Sequence, residues 1–193
     1  MTTLFILISA YLMGSIPVGI LVTEWFKSGD PRRLGSGNIG ATNIARTAGK
    51  KAGLITLGGD CLKGFSAILL ARFCGAGDGV TALAGLAVFA GHLYPIFLNF
   101  KGGKGVATAL GVFLAMAPLA TLLGVILFTL VTAISRFVSL GSMTTAAVMP
   151  LFICQTGSSW EITYSALIMS GFVIYKHKDN ILRLCLNEEN KLF

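Results

Sequence analysis

A short loop rich in glycine and lysine carries chemistry typical of an anion site. Residues 101–105 read Lys-Gly-Gly-Lys-Gly, so three glycines and two lysines share five positions. Glycine leaves backbone N–H groups accessible, and the lysines place two cations beside them. Long apolar segments flank this loop on both sides. We therefore expect an anion-binding loop with flexible, exposed N–H groups at a membrane surface.

The second lysine of this 101–105 loop is the better candidate for function. Lys104 immediately precedes a helix predicted to start near Val106. A cation at a helix N-terminus is unfavourable by a few tenths of a kcal/mol to about 1 kcal/mol, and a bound anion reverses that sign. The alternative is that Lys101 and Lys104 only hold membrane topology, which does not require the two glycines between them.

A second glycine-rich loop, residues 36–46, offers similar chemistry. Gly35, Gly37 and Gly40 match the G-x-G-x-x-G spacing, but no strand precedes them, which excludes a dinucleotide fold. We expect a turn that opens a helix with free N–H groups, which suits phosphate. The alternative is an ordinary basic loop. The candidate groups are the side-chain donors of Ser36 and Asn38, Thr42 or Asn43 as the N-cap, and the guanidinium of Arg46.

Ionisable residues also interrupt the apolar segments. Asp60 and Lys63 are three residues apart, hence on one helical face. A lone charge deep in a span costs about 2.5–3.5 kcal/mol, which favours a buried pair that orders the site over direct substrate contact. His92 is either a packing histidine or a base, and His177, among lysines, is expected to be solvated. No Ser-His-Asp order, nucleophilic cysteine or metal cluster is evident.

Composition indicates the elements that position these residues. Of the 193 residues, 54% are hydrophobic and 12% charged, against about 25% charged in soluble domains. We predict an all-α polytopic membrane protein with a single domain over residues 1–193. Gly14, Pro17 and Gly19 predict a kink or close packing in the first span. The predicted spans outside residues 105–135 are 3–24, 52–73, 80–100, 138–154 and 160–175.

Residues 105–135 leave two topologies open. One tilted helix of this length would be about 45 Å long, beyond a core of about 30 Å. A hairpin turning at Pro118 makes two short helices and returns Arg136 to the side of Lys104, which the positive-inside rule favours. The hairpin gives about seven transmembrane helices, an outside N-terminus and a cytoplasmic C-terminus. The net charge of +7 is then mostly a topology signal.

Four motifs, in order along nearly the whole chain, resemble the bacterial acyl-phosphate:glycerol-3-phosphate acyltransferase family. They are residues 35–46, Asp60-x-x-Lys63-Gly64, the run from Gly91-His92-x-Tyr94-Pro95 to Phe-Lys-Gly-Gly-Lys-Gly-Val-Ala-Thr (100–108), and a tail with His177, Asn180, Arg183 and Glu189. The 100–108 run is very specific. Departures are mild, with Tyr94 where phenylalanine is usual and Asn187 where glycine is frequent.

The resemblance implies a bacterial inner-membrane enzyme with its active site at the cytoplasmic face. It implies transfer of a fatty acyl group from acyl phosphate to the 1-hydroxyl of glycerol 3-phosphate, which gives lysophosphatidic acid and phosphate in an initial step of phospholipid biosynthesis. The expected partners are both substrates and the lipid bilayer. No cofactor, metal, nucleic acid or obligate protein partner is expected.

Given this resemblance, we expect direct single-displacement transfer in a site that binds two phosphates. The alternative function is a transporter or binder of a phosphorylated metabolite, although no internal repeat is visible. The expected catalytic residues are Lys104, Arg46, Ser36 and His177. The expected substrate-binding residues are Gly37, Asn38, Thr42, Asn43, His92, Gly102, Gly103, Ser142 and Asn180.

Overall fold

Every regular element in the computed structural model, which describes residues 1–191, is helical. This confirms the predicted all-α class. The α-helices are α1 Thr2–Ser15, α2 Val18–Trp25, α3 Ala41–Ala48, α4 Lys50–Phe73, α5 Asp78–Leu93, α6 Val106–Met116, α7 Pro118–Ser135, α8 Val138–Gln155, α9 Trp160–Lys176 and α10 Lys178–Cys185. A 3-10 turn, Ile96–Leu98, follows α5 after the non-helical residues Tyr94 and Pro95.

Five segments within residues 1–191 are long and apolar enough to cross a membrane. They are Thr2–Trp25, Lys50–Phe73, Asp78–Leu98, Pro118–Ser135 and Val138–Gln155. Helix α6 has 11 residues and spans about 16 Å, which is shorter than a bilayer core of about 30 Å. Helix α9 has 17 residues and coincides with the predicted last span. The count of seven spans and the orientation stay predictions.

The first span is broken where its sequence predicts a kink. Helix α1 ends at Ser15 and α2 begins at Val18, with Ile16 and Pro17 in non-helical conformations between them. Proline has no N–H to continue the helix. The N–H of Val18 instead donates to the carbonyl of Ile16 at 3.0 Å. The break leaves the Ile16 carbonyl accessible to a side chain from another helix.

The chain forms two compact units, of which the first is Met1–Ala115. In this unit α1 packs on α5 and α4, and α3 packs on α4. The packing is close because Gly14 and Gly91 lie against backbone atoms of Val88 and Tyr11, which confirms close packing at Gly14. The Tyr11 hydroxyl donates to the carbonyl of Tyr94 at 2.8 Å, which ties α1 to the end of α5.

The second unit is Met116–Phe193. Here α7 packs on α8 and α8 on α9. Buried apolar side chains of α8 and α9 supply much of its core: Met149, Ile153, Ile162, Ala166, Met169 and Val173. Short α10 follows α9 directly at His177. Each unit has its own packed helices, and the prediction of a single domain stays a prediction.

The chain is not continuous helix through residues 105–135. Helix α6 ends at Met116 and α7 begins at Pro118, with Ala117 at φ −144° and ψ 69° between them. Proline at the first position of α7 needs no N–H partner there, which suits a helix start. The alternative of one long tilted helix is therefore wrong. The return of Arg136 to the side of Lys104 stays a prediction.

Candidate active site

The 101–105 loop lies directly on the end of α5. The N–H of Gly102 donates to the carbonyl of Leu93 at 3.2 Å, and the N–H of Gly103 donates to the carbonyl of His92 at 3.1 Å. Gly103 and Gly105 are buried. The expectation that this loop presents flexible, exposed N–H groups is therefore wrong for Gly102 and Gly103. Their N–H groups instead fix the loop to the helix before it.

Glycine is required in this loop because the loop approaches α5 so closely. A Cβ on Gly103 would collide with Nε2 of His92, and a Cβ on Gly102 would collide with the His92 carbonyl oxygen. Gly105 has φ +83°, a left-handed conformation that favours glycine. Lys104 lies between two buried glycines and is half-buried, whereas Lys101 is exposed. The loop thus holds the backbone of Lys104 in one place.

Only residues 36–40 of the predicted 36–46 loop precede α3, which begins at Ala41 with Gly40 as its N-cap; residues 41–46 form the first turns of this helix. The prediction of Thr42 or Asn43 as N-cap is therefore wrong, because both residues lie in the first turn of the helix. Gly40 takes the extended backbone that an N-cap needs, and its N–H donates to Oδ1 of Asn38 at 2.8 Å. Ser36 and Arg46 are exposed on this loop and helix.

The side chain of Asn43 organises the 36–46 loop. Its Oδ1 accepts the N–H of Ser36 at 2.8 Å, and its Nδ2 donates to the carbonyl of Asn38 at 2.7 Å. Nδ2 also lies 3.1 Å from the carbonyls of Pro31 and Leu34. Asn43 is only 2% exposed. It therefore supports the loop that carries Ser36, and a direct contact of Asn43 with substrate stays a prediction.

A buried polar cluster joins α4, α5 and α6, and we call it the Asp60 cluster: Asp60, Lys63, His92 and Thr108. Nζ of Lys63 lies 2.8 Å from Oδ1 of Asp60, as the spacing of the pair predicts. Nδ1 of His92 lies 3.4 Å from the same oxygen and 3.1 Å from Oγ1 of Thr108. Neither contact at Oδ1 has good hydrogen-bond geometry; the Lys63 contact is an ion pair, and the His92 contact is one only when the ring is protonated. Their closeness shows that the charges are paired.

The tail residues lie at the junction of α9 and α10. His177 is buried, contrary to the solvated position expected for it, with Nδ1 2.8 Å from the carbonyl of Val173. Asn180 is buried in α10, and its Nδ2 donates to Oε1 of Glu189 at 2.7 Å. Ser142 is buried in α8, where its hydroxyl donates to the carbonyl of Val138 at 2.8 Å.

Glu189 links the tail to α8. Besides Asn180, its carboxylate accepts the Ser139 hydroxyl at 2.7 Å and Nε of Arg183 at 2.8 Å. Burial raises the pKa of Glu189, but the hydrogen bonds from Arg183, Ser139 and Asn180 outweigh burial and hold the pKa below its ordinary value. The sequence placed Glu189 in a motif without a role. Its role depends on Ser139, fifty residues away, which no local spacing reveals.

Comparison with known proteins identifies the family. The sequence profile of the glycerol-3-phosphate acyltransferase family matches residues 4–187. The chain belongs to this family. It is 50% identical over 188 residues to the glycerol-3-phosphate acyltransferase of Trichlorobacter lovleyi, covering 97% of this chain and 96% of that protein. It is 50% identical over 183 residues to the glycerol-3-phosphate acyltransferase of Geobacter sulfurreducens, covering 94% of this chain and 93% of that protein.

Solved structures match the fold as well as the sequence. Two crystal structures of PlsY (YgiH), an integral membrane glycerol 3-phosphate acyltransferase, are 40% identical to this chain. The glycerol 3-phosphate form gives a TM-score of 0.94 and covers 99% of this chain and 96% of that chain. The lysophosphatidic acid form gives a TM-score of 0.92 and covers 99% of this chain and 95% of that chain. The resemblance, the helical membrane fold and the acyltransferase activity of phospholipid synthesis are confirmed, and the transporter alternative is not favoured.

The expected site residues belong to both units of the chain. Residues of the first unit are Ser36, Gly37, Asn38, Thr42, Asn43, Arg46, His92, Gly102, Gly103 and Lys104, and those of the second are Ser142, His177 and Asn180. Within the first unit the structure brings His92 to Gly102 and Gly103, and Asn43 to Ser36 and Asn38. No group of three or more His, Cys, Asp and Glu side chains within residues 1–191 could hold a metal ion.

Proposed function

We propose that this chain transfers a fatty acyl group from acyl phosphate to the 1-hydroxyl of glycerol 3-phosphate at the cytoplasmic face of the bacterial inner membrane. The observation that carries the acceptor is the likeness to PlsY, which has a glycerol 3-phosphate form and a lysophosphatidic acid form. These two molecules differ by one acyl group, so they are an acceptor and its acylated product. The acyl-phosphate donor rests on the motif resemblance.

The reaction is a single displacement. The 1-hydroxyl oxygen of glycerol 3-phosphate forms a bond to the acyl carbon, and the bond from that carbon to the phosphate oxygen breaks. Phosphate leaves with the electron pair. The hydroxyl proton passes to a substrate phosphate oxygen, with His92 as the alternative base. Because acyl phosphate is a mixed anhydride with a good leaving group, the main contribution of the protein is to hold hydroxyl and carbonyl in register.

Arg46, Lys104 and His177 bind the phosphates in this proposal. Each charge-assisted hydrogen bond contributes about 1.5–3 kcal/mol. The exposed position of Arg46 and the fixed backbone around Lys104 support these roles in the first unit. Ser36, Asn38, Ser142 and Asn180 add hydrogen bonds, and Gly37 and Thr42 contribute backbone groups. Gly102 and Gly103 act by shaping the loop that carries Lys104.

The test is phosphate release by the purified protein in detergent. We expect phosphate to be released from acyl phosphate only when glycerol 3-phosphate is present, with lysophosphatidic acid formed in equal amount by mass spectrometry. Acyl-CoA and acyl carrier protein donors serve as controls and should give no product. Uptake of glycerol 3-phosphate into sealed vesicles without phosphate release would contradict the proposal.

Single displacement has its own test. After incubation with acyl phosphate alone, rapid quenching and intact-mass analysis of the protein should find only the unmodified mass. A protein-bound acyl group that appears without glycerol 3-phosphate, and disappears when it is added, would show a double displacement. That outcome would leave the overall reaction in place and overturn only the direct transfer.

A further inference from the structure

The Asp60 cluster contacts the supports of both loops of the first unit. On one side, His92 faces Asp60 and Thr108 with Nδ1, while its carbonyl accepts the N–H of Gly103. Its Nε2 edge lies so close to Gly103 that a Cβ there would collide with it. The backbone and the ring of one buried histidine therefore both fix the 101–105 loop. Any shift of His92 moves the residue before Lys104.

On the other side, the cluster reaches the break in the first span. Nζ of Lys63 donates to the carbonyl of Ile16 at 3.0 Å while it contacts Asp60. That carbonyl immediately precedes α2, and Gly19 of α2 lies against the carbonyl of Ile39 so closely that a Cβ would collide with it. Ile39 is a buried member of the 36–46 loop. The ammonium thus anchors the helix on which this loop rests.

Burial makes the charges of this cluster sensitive to the positions of their partners. Asp60 and Lys63 are 2% and 7% exposed, inside a predicted membrane span. Buried charges are costly unless every partner is in place, so such a cluster favours a single geometry over neighbouring ones. A conventional apolar core would fill the same space without this requirement. Its location between the supports of the two loops points to a positional role.

We propose that the Asp60 cluster positions the acceptor site. It sets the distance between the 36–46 loop and the 101–105 loop. It thereby determines where Arg46 and Lys104 lie around a phosphate. This inference rests on the proposed function. Asp60 and Lys63 are positioning residues, because they act through His92 and through α2. The ligand class is the phosphate monoester of the acceptor, glycerol 3-phosphate.

The main test is the double variant Asp60→Asn/Lys63→Met, because each single substitution leaves one buried charge without its partner. The double variant removes both charges and keeps side chains of similar size. We expect a melting temperature in detergent close to that of the parent. We also expect kcat/KM for glycerol 3-phosphate to fall about 10-fold to 100-fold, mainly through a higher KM, because a misplacement of about 1 Å can cost about 100-fold.

The control is Asp78→Asn, which removes an exposed carboxylate at the opposite end of α5 from His92. It should leave KM, kcat and the melting temperature unchanged. A merely structural role for the cluster predicts the reverse pattern for the double variant, in which the melting temperature falls while KM and kcat of the folded enzyme are unchanged. That pattern would overturn the inference.

A neutral variant keeps the inference testable if the double variant does not fold. Thr108→Val removes the hydroxyl 3.1 Å from Nδ1 of His92, and Thr108→Ser restores it. We expect Thr108→Val to raise KM for glycerol 3-phosphate about threefold or more, as expected for the loss of one hydrogen bond, and Thr108→Ser to return it toward the parent value. Equal KM values in all three proteins would contradict the inference. A parent enzyme that releases no phosphate with glycerol 3-phosphate would instead contradict the proposed function.

Discussion

At the scale of residues, the glycines of the 101–105 loop matter because they let the loop backbone approach the end of α5 closely. Gly102 and Gly103 donate their N–H groups to the carbonyls of Leu93 and His92, so these groups are committed to the fold. The loop can lie on α5 only because neither residue carries a Cβ. Lys104 therefore extends from a backbone with little freedom, which would lower the entropy lost on binding in its proposed role as a phosphate ligand.

Gly103→Ala tests this packing. The added methyl group would meet Nε2 of His92, and overpacking of this kind costs about 1–3 kcal/mol. We expect a lower melting temperature and a higher KM for glycerol 3-phosphate, measured on purified protein in detergent. Gly58→Ala is the matched control, because nothing lies within 4 Å of a Cβ built there. A Gly103→Ala enzyme that matches this control in both measurements would show that the close approach has no consequence.

Lys104→Ala and Lys101→Ala separate the two lysines. Lys104 is half-buried between fixed glycines, whereas Lys101 is exposed. Loss of a charge-assisted contact to phosphate should lower kcat/KM for Lys104→Ala about 10-fold to 100-fold, and Lys101→Ala should retain most of the parent activity. Steady-state phosphate release gives both values. Full activity in Lys104→Ala would remove it from the proposed site.

At the scale of elements, periodicity predicted the helices well and the loops poorly. The spans 52–73 and 138–154 match α4 and α8 within a few residues, because long apolar runs and their interruptions are local signals. The break at Pro118 and the kink at Pro17 also follow from a local signal, the proline itself. The start of α3 was misplaced, because Asn43 folds back onto Ser36 and Asn38 instead of capping the helix. Such contacts depend on the whole loop and have no periodic signature.

The connection of α10 to α8 through Glu189 gives a prediction on pH. Since the folded pKa of Glu189 is below its ordinary value of 4.5, its carboxylate stabilises the fold above that pH. The contribution is lost as pH falls through the folded pKa. We expect Glu189→Gln to lower the melting temperature at pH 7, and the difference from the parent to shrink at an acidic pH below the folded pKa, which itself lies below 4.5. A difference that is the same at both pH values would show that the charge of Glu189 is not the cause.

At the scale of the whole molecule, three native cysteines can report the predicted orientation. Cys74 follows α4, Cys154 lies near the end of α8, and Cys185 ends α10 in the tail. The positive-inside rule places the first two outside and the third in the cytoplasm. Cys154 and Cys185 are both exposed and unpaired, and Cys74 is half-buried. They therefore offer thiols of comparable chemistry on faces that the sequence predicts to be opposite.

Single-cysteine variants, with the other cysteines replaced by serine, allow a direct measurement. With a membrane-impermeant maleimide on right-side-out vesicles, we expect Cys154 to be labelled in intact vesicles and Cys185 only after the membrane is opened. Cys74 should follow Cys154, more slowly because it is half-buried. Inverted vesicles should exchange the two patterns. Labelling of Cys185 from outside would contradict the predicted orientation, and with it the proposed cytoplasmic face of substrate entry.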